Sequence, residues 1–143
     1  MTMTATDVPA GFKPHFRKSA VTDPWEPLYS RREDRKVVIG LHVRKAHCNS
    51  RGFIHGGVLA ALADNSMGLS AGEALRSEGR ANIRGLVTVN LTTDYISGAP
   101  LGAWLEVDTH FVKTGGSICF TDCFILADSE PVARSSASFK ILK

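Results

Sequence analysis

The segment Asn49–Asp64 (NSRGFIHGGVLAALAD) holds residue types that could do chemistry, and it ends on an acid in an otherwise small and apolar stretch. If the segment is helical, the positions three, four and seven away from Asp64 carry no charge: Gly57, Ala60, Ala61, Met67, Gly68 and Ala71. A carboxylate on such a surface is costly to bury unless it has partners. We therefore interpret Asp64 as facing a cleft, as a base or a nucleophile. A wet strip of helix formed by Asp64 and Asn65 is the alternative.

The tripeptide His55-Gly56-Gly57 stands where this helix should begin. The first backbone N–H groups of a helix have no intrahelical partners and lie at the positive end of the helix dipole. Glycine lets an oxygen atom approach these groups closely, so the helix start can hold a carbonyl oxygen as it becomes negative during acyl transfer. A flexible helix entry without a chemical role is the alternative.

The spacing of these two features predicts an oligomer. Nine residues of helix place His55 and Asp64 about 13 Å apart on opposite sides, so they cannot serve one site in one chain. If both act in catalysis, the helix must pack antiparallel against its copy across a two-fold axis, which creates two equivalent sites. We therefore expect a homodimer with its active sites at the interface.

The hydrophobic pattern predicts the elements that position these residues. A hairpin with a charged turn at Glu33 to Arg35 precedes a long helix from His55 to about Leu75, and four strand-like runs follow, which we expect to form a meander. The fold class is therefore α+β, with one long helix against a five- to six-stranded antiparallel sheet. In the first run, alternation divides the residues into two faces: Val87, Val89, Leu91 and Tyr95 on one, Thr88, Asn90, Thr92 and Asp94 on the other.

Length and composition favour a small single-domain protein. The 143 residues are expected to form one domain over 21–143 after a flexible N-terminal arm over 1–20. We see no secretory signal and no span long enough for a membrane, and the net charge of +3 is too dispersed to favour nucleic acid. Three cysteines without a CxxC pair indicate reduced thiols and a cytoplasmic location, and no metal or redox cofactor is expected.

The combination of Asn49, Gly52, His-Gly-Gly and Asp64 resembles the hotdog-fold acyl-CoA thioesterases of the phenylacetate-degradation type, with all spacings kept. The later runs TVNLTTDY, FVKTGGSICF and VARSSASFKIL look similar too, so the resemblance covers about residue 25 to the end. It implies a hotdog fold and hydrolysis of an aryl- or medium-chain acyl-CoA to the free acid and coenzyme A. It also implies a homodimer, with dimers pairing into a tetramer.

The resemblance assigns roles to particular residues. Asp64 would attack the thioester or activate a water, with help from Thr88. The backbone N–H of Gly56, helped by Gly57, would polarise the thioester carbonyl. The other implied contacts are Asn49 to the water or acyl group, His55 to the loop and thioester, and Lys113, Thr114, Arg134 and Ser135 to coenzyme A.

Three alternatives stay open at this point. Asn49 could form only an Asx-type turn before the helix, and the four coenzyme A residues could be ordinary exposed strand and turn positions. A non-catalytic acyl-CoA binding or sensor module on the same fold would keep the ligand contacts without chemistry.

The run Gly68–Gly72 (GLSAG) matches the G-x-S-x-G nucleophile elbow, but it lies inside the predicted helix, where the required strand-to-helix turn cannot form.

Overall fold

The computed structural model describes residues 7–143, which form one helix packed on a seven-stranded antiparallel sheet; the first six residues of the predicted arm lie outside the described residues. The helix α1 spans Gly56–Ser77. The strands are β1 Lys13–Pro14, β2 Tyr29–Glu33, β3 Lys36–His42, β4 Gly85–Tyr95, β5 Trp104–Thr114, β6 Ile118–Ala127 and β7 Glu130–Leu142. Within 7–143, no helix combines the length and apolar character needed to cross a membrane.

The sheet order is β1-β2-β3-β5-β6-β7-β4, with every pair antiparallel. The predicted class, one long helix against an antiparallel sheet, is confirmed; the strand count is seven because the two-residue β1 pairs with β2. The predicted meander is wrong for its first strand. β4 pairs with β7 at the far edge, because residues 96–103 carry the chain past β6 and β7 before β5 begins.

Two buried serines help attach α1 to the sheet. Ser66 Oγ donates to the carbonyl oxygens of Val37 (2.9 Å) and Val107 (3.2 Å). Ser70 Oγ accepts from the Val37 N–H at 3.1 Å. Both serines are fully buried among apolar core residues, so their hydroxyls are satisfied by β3 and β5. The serine of the GLSAG run is thus a packing residue within the helix, and the elbow is excluded as the sequence predicted.

A β-bulge in β4 changes which side chains face the helix. Thr88 pairs with Phe139 and Asn90 with Ser138, so Val89 is an extra residue. The predicted alternation is therefore wrong across this point: Thr88 shares a face with Leu91 and Tyr95. The residues on the other face, which points away from the helix, are Val87, Asn90, Thr92 and Asp94.

The described part of the predicted arm contacts the domain. Phe12 is buried against Trp104, with ring centroids 5.2 Å apart, and a Cβ at Gly40 would come within 2.4 Å of Trp104 and 2.8 Å of Phe12. These rings therefore fill space above β3 that only a glycine leaves free. The division into an arm and a domain stays a prediction.

Candidate active site

His55 shapes the start of α1. It is the N-cap residue, with φ −68° and ψ 135°, and its Nδ1 accepts a hydrogen bond from the Gly57 N–H at 2.9 Å. Cap residues of this kind satisfy one of the free donors of a helix start. The Gly57 N–H is therefore already used. Among the described residues no hydrogen bond uses the Gly56 N–H, so this donor is free at the helix start.

Tyr95 lies on the other side of the same glycine. Its hydroxyl donates to the Gly56 carbonyl oxygen at 2.7 Å, and a Cβ at Gly56 would sit 3.2 Å from the tyrosine ring. A side chain at Gly56 would therefore fit only if the Tyr95 ring moved by a few tenths of an ångström. The sequence placed Tyr95 only on one face of a strand, because its partner is a backbone oxygen on another element, which leaves no pattern in the sequence.

A buried histidine, His47, is hydrogen-bonded to the N-cap residue His55. His47 Nδ1 accepts from the Arg44 N–H at 2.9 Å, while His47 Nε2 lies 2.9 Å from the Trp25 carbonyl oxygen. The His47 carbonyl accepts from the His55 N–H at 2.8 Å. Burial lowers the pKa of His47, which favours the neutral ring that this bonding pattern requires. The sequence gave no sign of this role, since His47 stands outside any recognised motif.

Asn49 forms the Asx-type turn that was the alternative interpretation of this residue. Its Oδ1 accepts from the N–H groups of Arg51 (2.9 Å) and Phe53 (3.3 Å). Gly52, at φ +82°, completes the reversal of the chain. The turn fixes the side chain beside the helix start, and only its Nδ2 group stays available to donate to a ligand.

Asp64 and Thr88 form the other half of the candidate site. The Thr88 hydroxyl donates to Asp64 Oδ1 at 2.7 Å, which joins the middle of α1 to the edge strand β4. The β-bulge is what turns Thr88 towards the helix. One carboxylate oxygen of Asp64 is held in this way, and the second has no hydrogen bond among the described residues.

Each half lines its own cavity. A cavity of about 480 Å³ opens beside the helix start and includes Asn49, Phe53, Gly56 and Tyr95 in its walls. Another of about 450 Å³ contains Asp64 in its wall, together with Thr88. The two cavities share no residue, so a single chain does not bring Asp64 to the Gly56 N–H.

The four residues predicted to hold coenzyme A do not come together as one group: Arg134 and Ser135 line a cavity of about 300 Å³ that includes neither Lys113 nor Thr114. Thr114 donates to both carboxylate oxygens of Glu78 at the end of α1 (2.7 and 2.8 Å), and with Arg35 it holds the pKa of Glu78 below its usual value. Lys113 is an exposed residue of β5. Arg134 points away from the helix and pairs with Asp94 at 3.0 Å. Ser135 is a buried residue of β7, and its hydroxyl lies 2.8 Å from that of Thr93.

No group of three or more His, Cys, Asp or Glu side chains among residues 7–143 is arranged to hold a metal ion. The three cysteines are free, and burial raises the pKa of Cys123 to about 12, so its thiol is not ionised near neutral pH. The candidate groups that the described residues bring to the two cavities are the Asp64 carboxylate and the Gly56 N–H.

Comparison with known proteins finds similarity to esterases and thioesterases. The "Putative esterase PA0474" of Pseudomonas aeruginosa is 34% identical over 136 residues, covering 94% of this chain and 98% of that protein. Human acyl-coenzyme A thioesterase 13 is 34% identical over 88 residues, covering 60% of this chain and 57% of that protein. A hypothetical thioesterase from Streptococcus pneumoniae, crystallised with coenzyme A, shares the fold with a TM-score of 0.70 at 22% identity, over 82% of this chain and 90% of that chain.

The family model for the thioesterase superfamily matches residues 51–133, more than half of the chain and most of the segment from the helix start to β7. The fold, one long helix on an antiparallel sheet, is the hotdog fold that the resemblance implied. The chain belongs to the thioesterase superfamily, a family of thioester hydrolases.

Proposed function

We propose that this protein hydrolyses an aryl- or medium-chain acyl-CoA, with Asp64 as the nucleophile or general base and the Gly56 N–H as the oxyanion donor. The observation that carries the proposal is the pair of complementary halves: a carboxylate held by Thr88 with one oxygen free, and an unused N–H at a helix start. Acyl transfer needs both, since one attacks or activates water and the other stabilises charge on the carbonyl oxygen. The name of human acyl-coenzyme A thioesterase 13 supports the acyl-CoA substrate class.

The active unit is a homodimer in this proposal, because the two halves lie in separate cavities of one chain. The edge strand β4 supplies the contact: it pairs with β7 on one side only and exposes Val87 and Val89. Thr88 and Tyr95 belong to opposite halves and stand seven residues apart on β4. Antiparallel pairing of two β4 strands centred near Leu91 would place Thr88 of one chain across from Tyr95 of the partner subunit.

Of the four residues predicted to contact coenzyme A, we favour two. Lys113 is exposed near the turn that follows β5. Arg134 is also exposed, and only its Nε is paired with Asp94, so both side chains can reach a phosphate at the sheet surface. Thr114 and Ser135 already have hydroxyl bonds, to Glu78 and to Thr93 respectively. We therefore expect Lys113 and Arg134 to contribute more to coenzyme A binding than the two hydroxyl residues.

The first experiment is thiol release from a panel of aryl- and alkyl-CoA thioesters by the wild type and Asp64→Asn. We expect turnover to fall at least about a hundredfold, the lower range for an essential acid–base or nucleophilic group. Circular dichroism and size-exclusion chromatography check that both proteins keep the same fold and oligomeric state. Equal rates would remove Asp64 from the chemistry, and binding without thiol release would favour a non-catalytic binding module.

The shared site is tested by mixing two inactive variants. In a heterodimer of Asp64→Asn and Gly56→Val, one site carries both lesions and the other carries neither. Refolding the two variants together should therefore restore about a quarter of wild-type activity, since random pairing makes half the dimers mixed and each has one intact site. If both halves act within one chain, the mixture stays as inactive as its components.

A further inference from the structure

The cavity that contains Asp64 is strongly positive at its other end. Five arginines line it, from the arm, β2, the last turns of α1 and the chain that follows: Arg17, Arg32, Arg76, Arg80 and Arg84. The acids in its wall are Asp64 and Glu73, so the cavity carries an excess of three formal positive charges. We call these five residues the arginine end.

The nearest acid, Glu73, does not occupy all the N–H donors of the arginine end. Arg32 Nη1 and Arg76 Nη1 both donate to the same oxygen of Glu73, at 3.3 and 2.5 Å. Each guanidinium has five N–H donors in a planar fork, so most of the donors of this pair stay free for a carboxylate or phosphate. Glu73 itself is only 19% exposed and sits where an anion would be held.

Arg80 is held in place by backbone oxygens, and its charge also helps to lower the pKa of Glu78 outside the cavity. Its Nη1 and Nη2 donate to the carbonyl oxygens of Gly115 (2.8 Å) and Gly116 (3.3 Å). Carbonyl oxygens fix the position of the guanidinium without neutralising it. A fixed cation at the wall of a concave surface concentrates anions, because field lines are focused there.

The floor between Asp64 and the arginine end is open. Gly68 and Gly72 lie on the cavity wall between them, and a Cβ at Gly72 would meet no atom within 4 Å. The helix rises about 18 Å from Asp64 to Arg76. Both side chains point back towards the N-terminus, but arginine is several ångströms longer than aspartate, which shortens the gap between their charged groups to roughly 12 Å. About ten bonds of an extended chain span this distance, at roughly 1.2 Å per bond.

We propose that the arginine end binds an anionic oxygen group of the substrate, either a carboxylate at the far end of the acyl chain or a phosphate of coenzyme A. A neutral acyl chain has no use for an excess of positive charge at this distance from Asp64. The inference rests on the proposed thioesterase function and extends it to the class of substrate.

Four thioesters separate the two sources of the anion. Decanoyl and 9-carboxynonanoyl groups have the same length but differ in the terminal carboxylate, and each is presented on coenzyme A and on pantetheine, which lacks the nucleotide phosphates. The proteins are the wild type, Arg76→Gln, Glu73→Gln and the control Lys140→Gln. The control removes an exposed cation on β7 outside the cavity, because its neighbour Phe139 lines the cavity wall and successive strand residues point to opposite faces. Thiol release gives KM and kcat for each pair.

We expect Arg76→Gln to raise KM about three- to fivefold for the anionic substrate at low salt, as for a partly exposed ion pair, and the effect to fade at about 0.5 M salt. Glu73→Gln should lower the same KM, because it removes the competing carboxylate. A change confined to the carboxynonanoyl thioesters on both carriers identifies the acyl carboxylate. A change confined to the two coenzyme A thioesters identifies a phosphate.

The proposal would be overturned if Arg76→Gln changed KM equally for all four thioesters. It would also be overturned if Arg76→Gln changed no KM by more than the Lys140→Gln control does. If the wild type hydrolyses no thioester, the proposed function fails instead, and calorimetric titration with free coenzyme A and with decanedioate still tests the arginine end. Weaker binding of one of these anions to Arg76→Gln than to Lys140→Gln supports the proposal in that case. Identical binding of both anions to the two variants overturns it.

Discussion

Replacing Thr88 by valine tests the positioning of the proposed catalytic carboxylate. Valine keeps the shape of threonine and removes only the O–H that donates to Asp64 Oδ1 at 2.7 Å. Hydrogen bonds to charged groups are worth about 1.5–3 kcal/mol, and exposure in the single chain places this one at the lower end. Since about 1.4 kcal/mol corresponds to tenfold in rate, we expect kcat/KM for thioester hydrolysis to fall about tenfold.

The sign of the change in kcat decides between two roles for this hydroxyl. If the bond orients Asp64 for attack, its loss lowers kcat, and Thr88→Ser, which keeps the donor, stays within about threefold of the wild type. If the bond merely stabilises the Asp64 carboxylate in the ground state, its loss makes the carboxylate more reactive and raises kcat. Steady-state thiol release from one acyl-CoA measures both variants. A faster Thr88→Val enzyme, or equal rates for the serine and valine variants, would refute the positioning role.

Three further predictions follow from the described contacts. Gly56→Ala should lower kcat/KM about tenfold, because its Cβ would press on the Tyr95 ring at 3.2 Å; an unchanged thiol-release rate would contradict this. Ser70→Ala should reduce the free energy of unfolding by about 1–3 kcal/mol in urea titrations, because the buried Val37 N–H loses its acceptor, with kcat unchanged in the folded protein. Burial lowers the pKa of both His15 and His47, so the unfolded chain binds protons first and stability should fall as the pH drops below about 6.5; His15→Gln should weaken this dependence in thermal melts at several pH values.

The sequence predicted those parts of the protein that depend on local physics. The helix, its His-Gly-Gly start and the isolated Asp64 follow from side-chain periodicity and from the capping needs of a helix end, which are set within a few residues. The antiparallel sheet followed from short connections. The separation of the two half-sites needed only the helical rise per residue.

The parts that the sequence missed depend on contacts between distant segments. The position of β4 beside β7 could not be predicted, because residues 96–103 are long enough to form a turn or to cross the sheet, and the choice is made by packing. Likewise, Tyr95 donates to the backbone oxygen of Gly56 and the backbone oxygen of His47 accepts from the His55 N–H, and such backbone partners leave no pattern in the sequence. The arginine end draws on four separate segments of the chain.

The bulge at Val89 explains how one strand serves both half-sites. In a regular strand, residues seven apart lie on opposite faces, so Thr88 and Tyr95 could not both face the helix. The extra residue restores a common face, which lets Thr88 reach Asp64 and Tyr95 reach Gly56. Deletion of Val89 should therefore turn one of the two side chains away and lower kcat about tenfold or more, while Val89→Ala, at a position that is 61% exposed, keeps the bulge and the activity. A folded deletion variant with wild-type thiol release would show that the two contacts do not need a common face of β4.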